Sequence, residues 1–265
     1  GVQDLIVGLS KINQIKSISM TTNGLYLGEK ADLLKKSGLQ SVNVSLDTFK
    51  ARRFKAMCGI DGLHKVLDSI YASENAGLKV KINTVVVRGW NDDEVVDFAN
   101  FARETGRIVR FIEFMPLDGS GIWSSDLVVS KSEIISTIRN KISDIEASEI
   151  FDNNSSSLNG GAGSAPAKLY SFTDGNGTVG FIPSMTEPFC AQCDRVRITS
   201  DGKLLTCLFE SPGHDIKNLL RGGKTDQEIA NYILESTRKK PEGVISIIRA
   251  KALKPTLNLM HTIGG

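Results

Sequence analysis

"SVNVSLDTFKARRFKAMCGIDGLHKVLDSIYASENAGLKVKINTVVV" occupies residues 41–87, and its hydrophobic period changes twice. "SVNVSLD" (41–47) alternates apolar and polar residues, the period of two of a strand. "GLHKVLDSIYASENAG" (62–77) places Leu63, Val66, Leu67 and Ile70 on one helical face. "KVKINTVVV" (79–87) is β-branched and strand-like again. Two strands joined by a helix make a βαβ unit, because parallel neighbours need a long crossover.

The same alternation extends both ways. Upstream, "SISMTTN" (17–23) is a short β-like run closed by Asn23-Gly24, and "EKADLLKKSG" (29–38) is helix-like and stops at a glycine. Downstream, "DDEVVDFANFARETG" (92–106) keeps Val95, Phe98, Ala99 and Ala102 in helical register, and "VRFIEFMP" (109–116) reads as a strand. Right-handed βαβ units and a parallel sheet are expected. Beyond it, "SKSEIISTIRNKI" (130–142) reads as a capped helix and "DNNSSSLNGGAGSAPA" (152–167) as a Ser/Gly-rich loop of undefined role. Hairpins are predicted at Asp174-Gly175 and Asp201-Gly202, and helices at "HDIKNLL" (214–220) and "DQEIANYILESTRKK" (226–240).

The 265 residues are 40% hydrophobic and 23% charged, ordinary globular values, and the net charge is only +2, so no broad polyanion-binding surface is implied. Nucleic-acid and membrane partners are therefore not expected. Four cysteines in this length do not make a disulfide scaffold. A soluble, cytoplasmic protein with reduced thiols is expected. The opening "GVQDLIVGLSKI" lacks an initiator methionine and reads like the inside of a helix, so the chain is expected to begin within a longer protein.

"FCAQCDRVRITSDGKLLTCL" (189–208) holds three of the four cysteines, spaced Cys190-x2-Cys193-x13-Cys207. The second and third flank the hairpin turning at Asp201-Gly202, so all three can converge. A structural zinc ion would need His214 or a distant group as its fourth ligand. A disulfide is disfavoured in reducing surroundings, and chance burial of three thiols is the bland reading. An iron–sulfur cluster is favoured; three thiolates would leave one iron open to a substrate. Arg195 and Arg197 alternate on the chain leaving Cys193, so both point to one face. Two guanidiniums there form a fork for phosphate or carboxylate, unless they are merely solvated charges. Cys58, far from this motif, is expected to be a buried small hydrophobe.

The cysteine–arginine motif resembles that of the GTP 3′,8-cyclases of molybdenum cofactor biosynthesis, a family of radical S-adenosylmethionine enzymes. "TTNG" (21–24), "VNVSLD" (42–47), "KINTVVVRGWNDDE" (81–94), "RFIEFMPLD" (110–118) and the terminal Gly264-Gly265 resemble family motifs in family order. The resemblance implies an α/β fold: an incomplete (β/α)6 TIM-type barrel over 1–125, here without its N-terminal strands. A C-terminal α+β extension over 126–265 would carry an iron–sulfur cluster. It further implies S-adenosylmethionine cleavage at a [4Fe–4S] cluster on a C-x3-C-x2-C loop, and a 5′-deoxyadenosyl radical that takes hydrogen from the GTP ribose. The product would be 3′,8-cyclo-GTP. No C-x3-C-x2-C occurs here, so that second cluster is expected in a part preceding residue 1, and the chain alone is expected to be inactive.

Residue by residue, the resemblance assigns Cys190, Cys193 and Cys207 to a [4Fe–4S] cluster. It assigns Thr21, Lys81, Arg195 and Arg197 to GTP, and Ser45 and Met115 to S-adenosylmethionine. Arg110 is a candidate catalytic cation, and Gly264 and Gly265 a tail entering the active site. An electron donor is implied, and a homodimer is compatible with the family. Two rival functions remain: a zinc- or cluster-stabilised nucleotide-binding module without catalysis, and a radical enzyme acting on another substrate such as a peptide.

Overall fold

The computed structural model describes residues 1–117, 121–148, 166–210, 212–240 and 243–244. Most of the Ser/Gly-rich stretch and the Gly264-Gly265 tail lie outside these residues. The chain divides into two compact units, one of residues 1–113 and 128–183, the other of residues 114–127 and 184 onward.

The first unit opens with α1 (Val2–Ser10), β1 (Ser19–Thr22), α2 (Ala31–Lys36), β2 (Ser41–Ser45), α3 (Ala51–Cys58), α4 (Leu63–Asn75) and β3 (Lys79–Val86). It continues through α5 (Val95–Thr105), β4 (Ile108–Glu113), α6 (Lys131–Lys141), β5 (Ile145–Ala147), β6 (Lys168–Phe172) and β7 (Thr178–Ile182). Its seven strands form one mixed sheet in the order β1-β2-β3-β4-β7-β6-β5. The first five in that order run parallel, and β6 pairs antiparallel with both β7 and β5. The expected βαβ alternation is thus present, and the hairpin at Asp174-Gly175 joins β6 to β7. Ser130 and Glu133 form a reciprocal capping box at the start of α6, as the "SKSE" spacing predicts.

The two faces of the parallel strands differ. Val42, Val44, Val80, Ile82, Val109, Phe111, Val179 and Phe181 point to one side and are buried with Leu34, Val66, Ile70, Phe98, Ile134 and Ile138 in a single core. Each such side chain contributes about 1.5–3 kcal/mol on burial. The intervening residues are polar and are taken up below.

The loops after β2 and β3 are locked by one side chain. Asn91, 2% exposed, donates Nδ2 to the carbonyls of Asp47 (2.7 Å) and Val85 (2.8 Å) and accepts from Val87 N–H (2.8 Å). Glu94, 0% exposed, accepts from Thr48 Oγ1 (2.6 Å) and Phe49 N–H (2.7 Å) and pairs with Arg53. Both residues come from "WNDDE" (90–94).

The second unit contains β8 (Arg197–Ile198), β9 (Lys203–Leu205), β10 (His214–Asp215), α7 (Lys217–Arg221) and α8 (Asp226–Arg238). The strands form an antiparallel sheet in the order β10-β9-β8, and the Asp201-Gly202 turn falls where expected. Two expectations need correction, and one helix was not foreseen. His214 and Asp215 pair with β9 instead of opening a helix, and α7 begins two residues later. Residues 51–58 are helical although Phe54 is their sole buried residue, too little for a readable period. Cys58 is exposed, because it lies at the end of that sparsely packed helix. Among the described residues no helix is long and apolar enough to cross a membrane.

Replacing Asn91 by Ala should destabilise the sheet unit by about 3 kcal/mol, since three buried backbone groups lose their partner. Urea unfolding should show a lower midpoint with an unchanged slope. A midpoint within error of the parent would rule out the lock.

Candidate functional site

The polar face of the sheet is built from two adjacent rows. Thr21, Asn43 and Lys81 stand side by side on β1, β2 and β3. Ser45, Asn83, Arg110 and Gly180 form the next row on β2, β3, β4 and β7. Neighbouring strands lie about 4.8 Å apart, so Thr21, Ser45, Lys81 and Arg110 share one patch. Thr21 and Ser45 are exposed, whereas Lys81 and Arg110 are each 7% exposed. Lys81 is the third residue of its strand and is buried.

Two buried cations on one face are costly unless anions or strong acceptors meet them. Arg110 donates Nη2 to Asn43 Oδ1, and Asn43 Nδ2 reaches toward Thr21 Oγ1 at 3.5 Å. Gly180 makes room for Arg110: a Cβ there would lie 2.8 Å from Arg110 Cγ. A glycine inside a strand is a legible sign of such close approach. The buried Oδ1 of Asn83 accepts no hydrogen bond among the described residues. An orphaned acceptor beside two cations and two hydroxyls fits a polar, charged ligand such as a nucleotide. Asn43 and Asn83 were not singled out by the sequence analysis; alternation along β2 and β3 was the signal available.

Asp47 follows Ser45 by two residues. Burial pushes its carboxyl up to about 6, against the opposing pull of the Val85 N–H that donates to Oδ1 (2.7 Å). Thr22 caps the Asn23-Gly24 turn, accepting from Gly24 N–H at 3.2 Å.

The second unit holds Met115, half-buried in the turn after β4, where Leu117 N–H donates to its carbonyl at 2.8 Å. It also holds the cysteines. Cys190 and Cys193 bracket a single 3-10 turn closed by Cys193 N–H to Cys190 O (3.2 Å). Residues 193, 195 and 197 are partly shielded while 194, 196 and 198 are exposed, so Arg195 and Arg197 lie on the same side as Cys193. Arg195 Nη2 donates to Cys193 Sγ (3.4 Å), and its guanidinium stacks on Phe189 with 4.8 Å between Cζ and the ring centre. Burial foremost, then the Arg195 charge, holds the Arg197 guanidinium below its usual range.

The thiols differ. Burial opposes ionisation of Cys193, but the backbone and side-chain donors of Arg195, with Lys240, outweigh it and hold the thiol below its usual value. Burial raises Cys207, and the nearby Cys190 and Cys193 raise it further. Cys207 is anchored by Glu210, which accepts from Thr206 Oγ1 (2.8 Å) and Cys207 N–H (3.3 Å) and pairs with His214 Nε2 (3.0 Å). Gly243, at φ 68°, passes the sulfurs closely: a Cβ there would lie 3.0 Å from Cys190 Sγ and 3.5 Å from Cys207 Sγ. Among the described residues no three His, Cys, Asp or Glu side chains are grouped to hold a single metal ion. A tetrahedral zinc site gathers its sulfurs to within about 3.8 Å of one another, given Zn–S distances near 2.3 Å. With the Cys190 and Cys207 sulfurs beside the bare backbone of Gly243 and Cys193 near Cys207, the three thiols suit a group larger than one ion. Sequence reasoning missed Glu210, Lys240 and Gly243 as parts of this surround.

Residues 2–102 match the Radical SAM superfamily, and residues 107–245 match Molybdenum Cofactor Synthesis C. These matches, on a largely parallel α/β sheet followed by a three-cysteine unit, define a radical SAM protein of the molybdenum cofactor type. The chain is 38% identical to the GTP 3′,8-cyclase of Thermodesulfovibrio yellowstonii, covering 100% of this chain and 77% of that protein. It is 37% identical to the GTP 3′,8-cyclase of Clostridium perfringens over the same shares. It is 35% identical to molybdenum cofactor biosynthesis protein 1 of Homo sapiens, over 94% of this chain and 38% of the human protein. The chain belongs to the GTP 3′,8-cyclase family.

The raised Asp47 carboxyl has a consequence for stability. Between about pH 4 and 6 the folded chain retains a proton that the unfolded chain releases, so stability falls as pH rises through that window. The loss should be on the order of 1 kcal/mol after allowing for partial exposure. Asp47→Asn should flatten the denaturation midpoint against pH there; an unaltered profile would show that Asp47 does not titrate in that range.

Proposed function

We propose that the chain serves as part of a GTP 3′,8-cyclase of molybdenum cofactor biosynthesis that uses S-adenosylmethionine and iron–sulfur clusters as cofactors. The observation that carries this reading is similarity to such cyclases along the whole of this chain, combined with Cys190 and Cys193 lying near Cys207 and Arg195 donating to Cys193. The sheet of the first unit is read as part of an incomplete (β/α)6 barrel, with residues from about 126 onward serving the cluster and GTP. When bound, these groups supply one-electron chemistry, and an external electron donor completes it.

The chain's own residues bind and orient. Cys190, Cys193 and Cys207 are the proposed ligands of one [4Fe–4S] cluster. Arg195 and Arg197 form a fork for the triphosphate, since guanidinium matches phosphate in a planar, bidentate way. Lys81 and Arg110 add positive charge from the sheet face, and Thr21 offers a hydroxyl to GTP. Ser45 and Met115 are assigned to S-adenosylmethionine. Burial of Lys81 and Arg110 lowers the local dielectric, which strengthens their hold on developing negative charge. Gly264 and Gly265 are proposed to complete the site.

Anaerobic reconstitution of the 265-residue chain should load close to one [4Fe–4S] cluster, and Cys207→Ser should remove most of the iron. Zinc without acid-labile sulfide would overturn this assignment. In the cluster-loaded protein, Arg195→Ala and Arg197→Ala should each weaken GTP binding about ten- to a hundred-fold, from about 1.5–3 kcal/mol per charge-assisted contact. Lys at either position should recover part of the loss. Titration at matched salt, with iron measured in each sample, checks this; unchanged affinity in both alanine variants would place the triphosphate elsewhere.

A further inference from the structure

Lys240 follows the end of α8, where a lysine ordinarily sits in solvent near the last helical carbonyls. Here its side chain reaches back 47 residues. Nζ donates to Cys193 O (2.7 Å), Arg195 O (2.8 Å) and Cys193 Sγ (3.4 Å). An ammonium has three N–H donors, and all three are engaged on one short segment. None of these acceptors is a carboxylate. A half-buried ammonium facing two carbonyls and a thiol is under-compensated in charge. A thiolate carrying the negative charge of a bound cluster is the complement that arrangement lacks.

Three residues further on, Gly243 brings backbone against the other two sulfurs. Its φ of 68° lies in the left-handed region that favours glycine. A Cβ would stand 3.0 Å from Cys190 Sγ. The chain leaving α8 therefore addresses all three cysteines: Cys193 through an ammonium, Cys190 and Cys207 through a bare backbone. Val244, 2% exposed, anchors the segment just after it.

We propose that Lys240 and Gly243 form the outer wall of the three-cysteine site, with Lys240 a positioning residue that holds the Cys193–Arg195 segment and donates to the Cys193 sulfur. This rests on the reading of Cys190, Cys193 and Cys207 as cluster ligands. Two consequences follow from one contact. Holding the Arg195 carbonyl fixes the point from which the arginine fork departs. Donation to sulfur stabilises the more negative, reduced cluster and so raises its reduction potential.

The test compares wild type, Lys240→Met, Lys240→Arg, Gly243→Ala and the exposed control Lys239→Met, each reconstituted anaerobically with iron and sulfide. Lys240→Met should give a cluster with a lower midpoint potential by redox titration. It should also lose iron to a chelator about 10- to 100-fold faster, the usual cost of removing an outer-sphere partner. Lys240→Arg should restore part of both, and Lys239→Met should match wild type. Gly243→Ala should carry less iron per chain with an unchanged circular dichroism spectrum. If Lys240→Met takes up a cluster with wild-type potential and iron retention, the proposal is wrong. Should Lys240→Met prove insoluble, Lys240→Arg decides: retention and potential further from wild type than the Lys239→Met control support a specific ammonium contact, and identity with wild type counts against one. If wild type itself takes up no iron and sulfide, it is the cluster reading that fails.

Discussion

Asn91 ties together the loops that follow β2 and β3, two of the strands that carry the polar patch. A loop buried beneath others cannot leave its amides unpaired, and one carboxamide meets three of them: Asp47 O, Val85 O and Val87 N–H. Glu94 adds Thr48 and Phe49 from the first loop. The ends of β2 and β3 are thereby fixed against each other beyond the last sheet hydrogen bonds. Ser45 ends β2, and Asp47 accepts from Val85 N–H just past it. The side chains at this edge thus inherit their positions from Asn91 and Glu94.

That rigidity matters because the sheet breaks a common rule. Parallel strands covered on both sides usually read as continuous hydrophobic runs. Here β2, β3 and β4 give their apolar residues to the helices and keep Asn43, Ser45, Lys81, Asn83 and Arg110 on the other face. Burying Lys81 and Arg110 on adjacent strands works against folding, since each gives up hydration and each repels the other. Such an arrangement persists when the site has to meet negative charge. Gly180 shows how far the packing accommodates it: any side chain there would displace the Arg110 stem.

Much of this was legible along the chain and some of it was not, for a physical reason in each case. The strands and helices of residues 17–113 follow hydrophobic period, and both hairpins follow Asp-Gly turns. The capping box at Ser130 is a four-residue signal. By contrast α3 buries Phe54 alone, so it carries no period. His214 and Asp215 were expected in a helix, yet a two-residue strand is too short to announce itself. Lys240, Glu210 and Asn91 act through contacts that composition and spacing do not encode. Lys240 in "STRKK" is indistinguishable from any basic helix end until the chain is folded, when it stands against Cys193. Asn43 and Asn83 were visible only as polar positions in alternating strands.

The cysteine unit also explains why a single metal ion suits it poorly. A closed tetrahedral site would need a fourth ligand beside the three thiolates. His214 is the nearest candidate by sequence, and its Nε2 is engaged with Glu210 at 3.0 Å. Glu210 in turn holds the Thr206 and Cys207 amides, so freeing His214 would loosen Cys207 itself. The supports are also separate: Arg195 and Lys240 act on Cys193, Glu210 acts on Cys207, and Gly243 lies beside Cys190 and Cys207. The three sulfurs thus draw on separate supports from the chain. Arg195 and Arg197, on the same side as Cys193, place two cations beside these sulfurs.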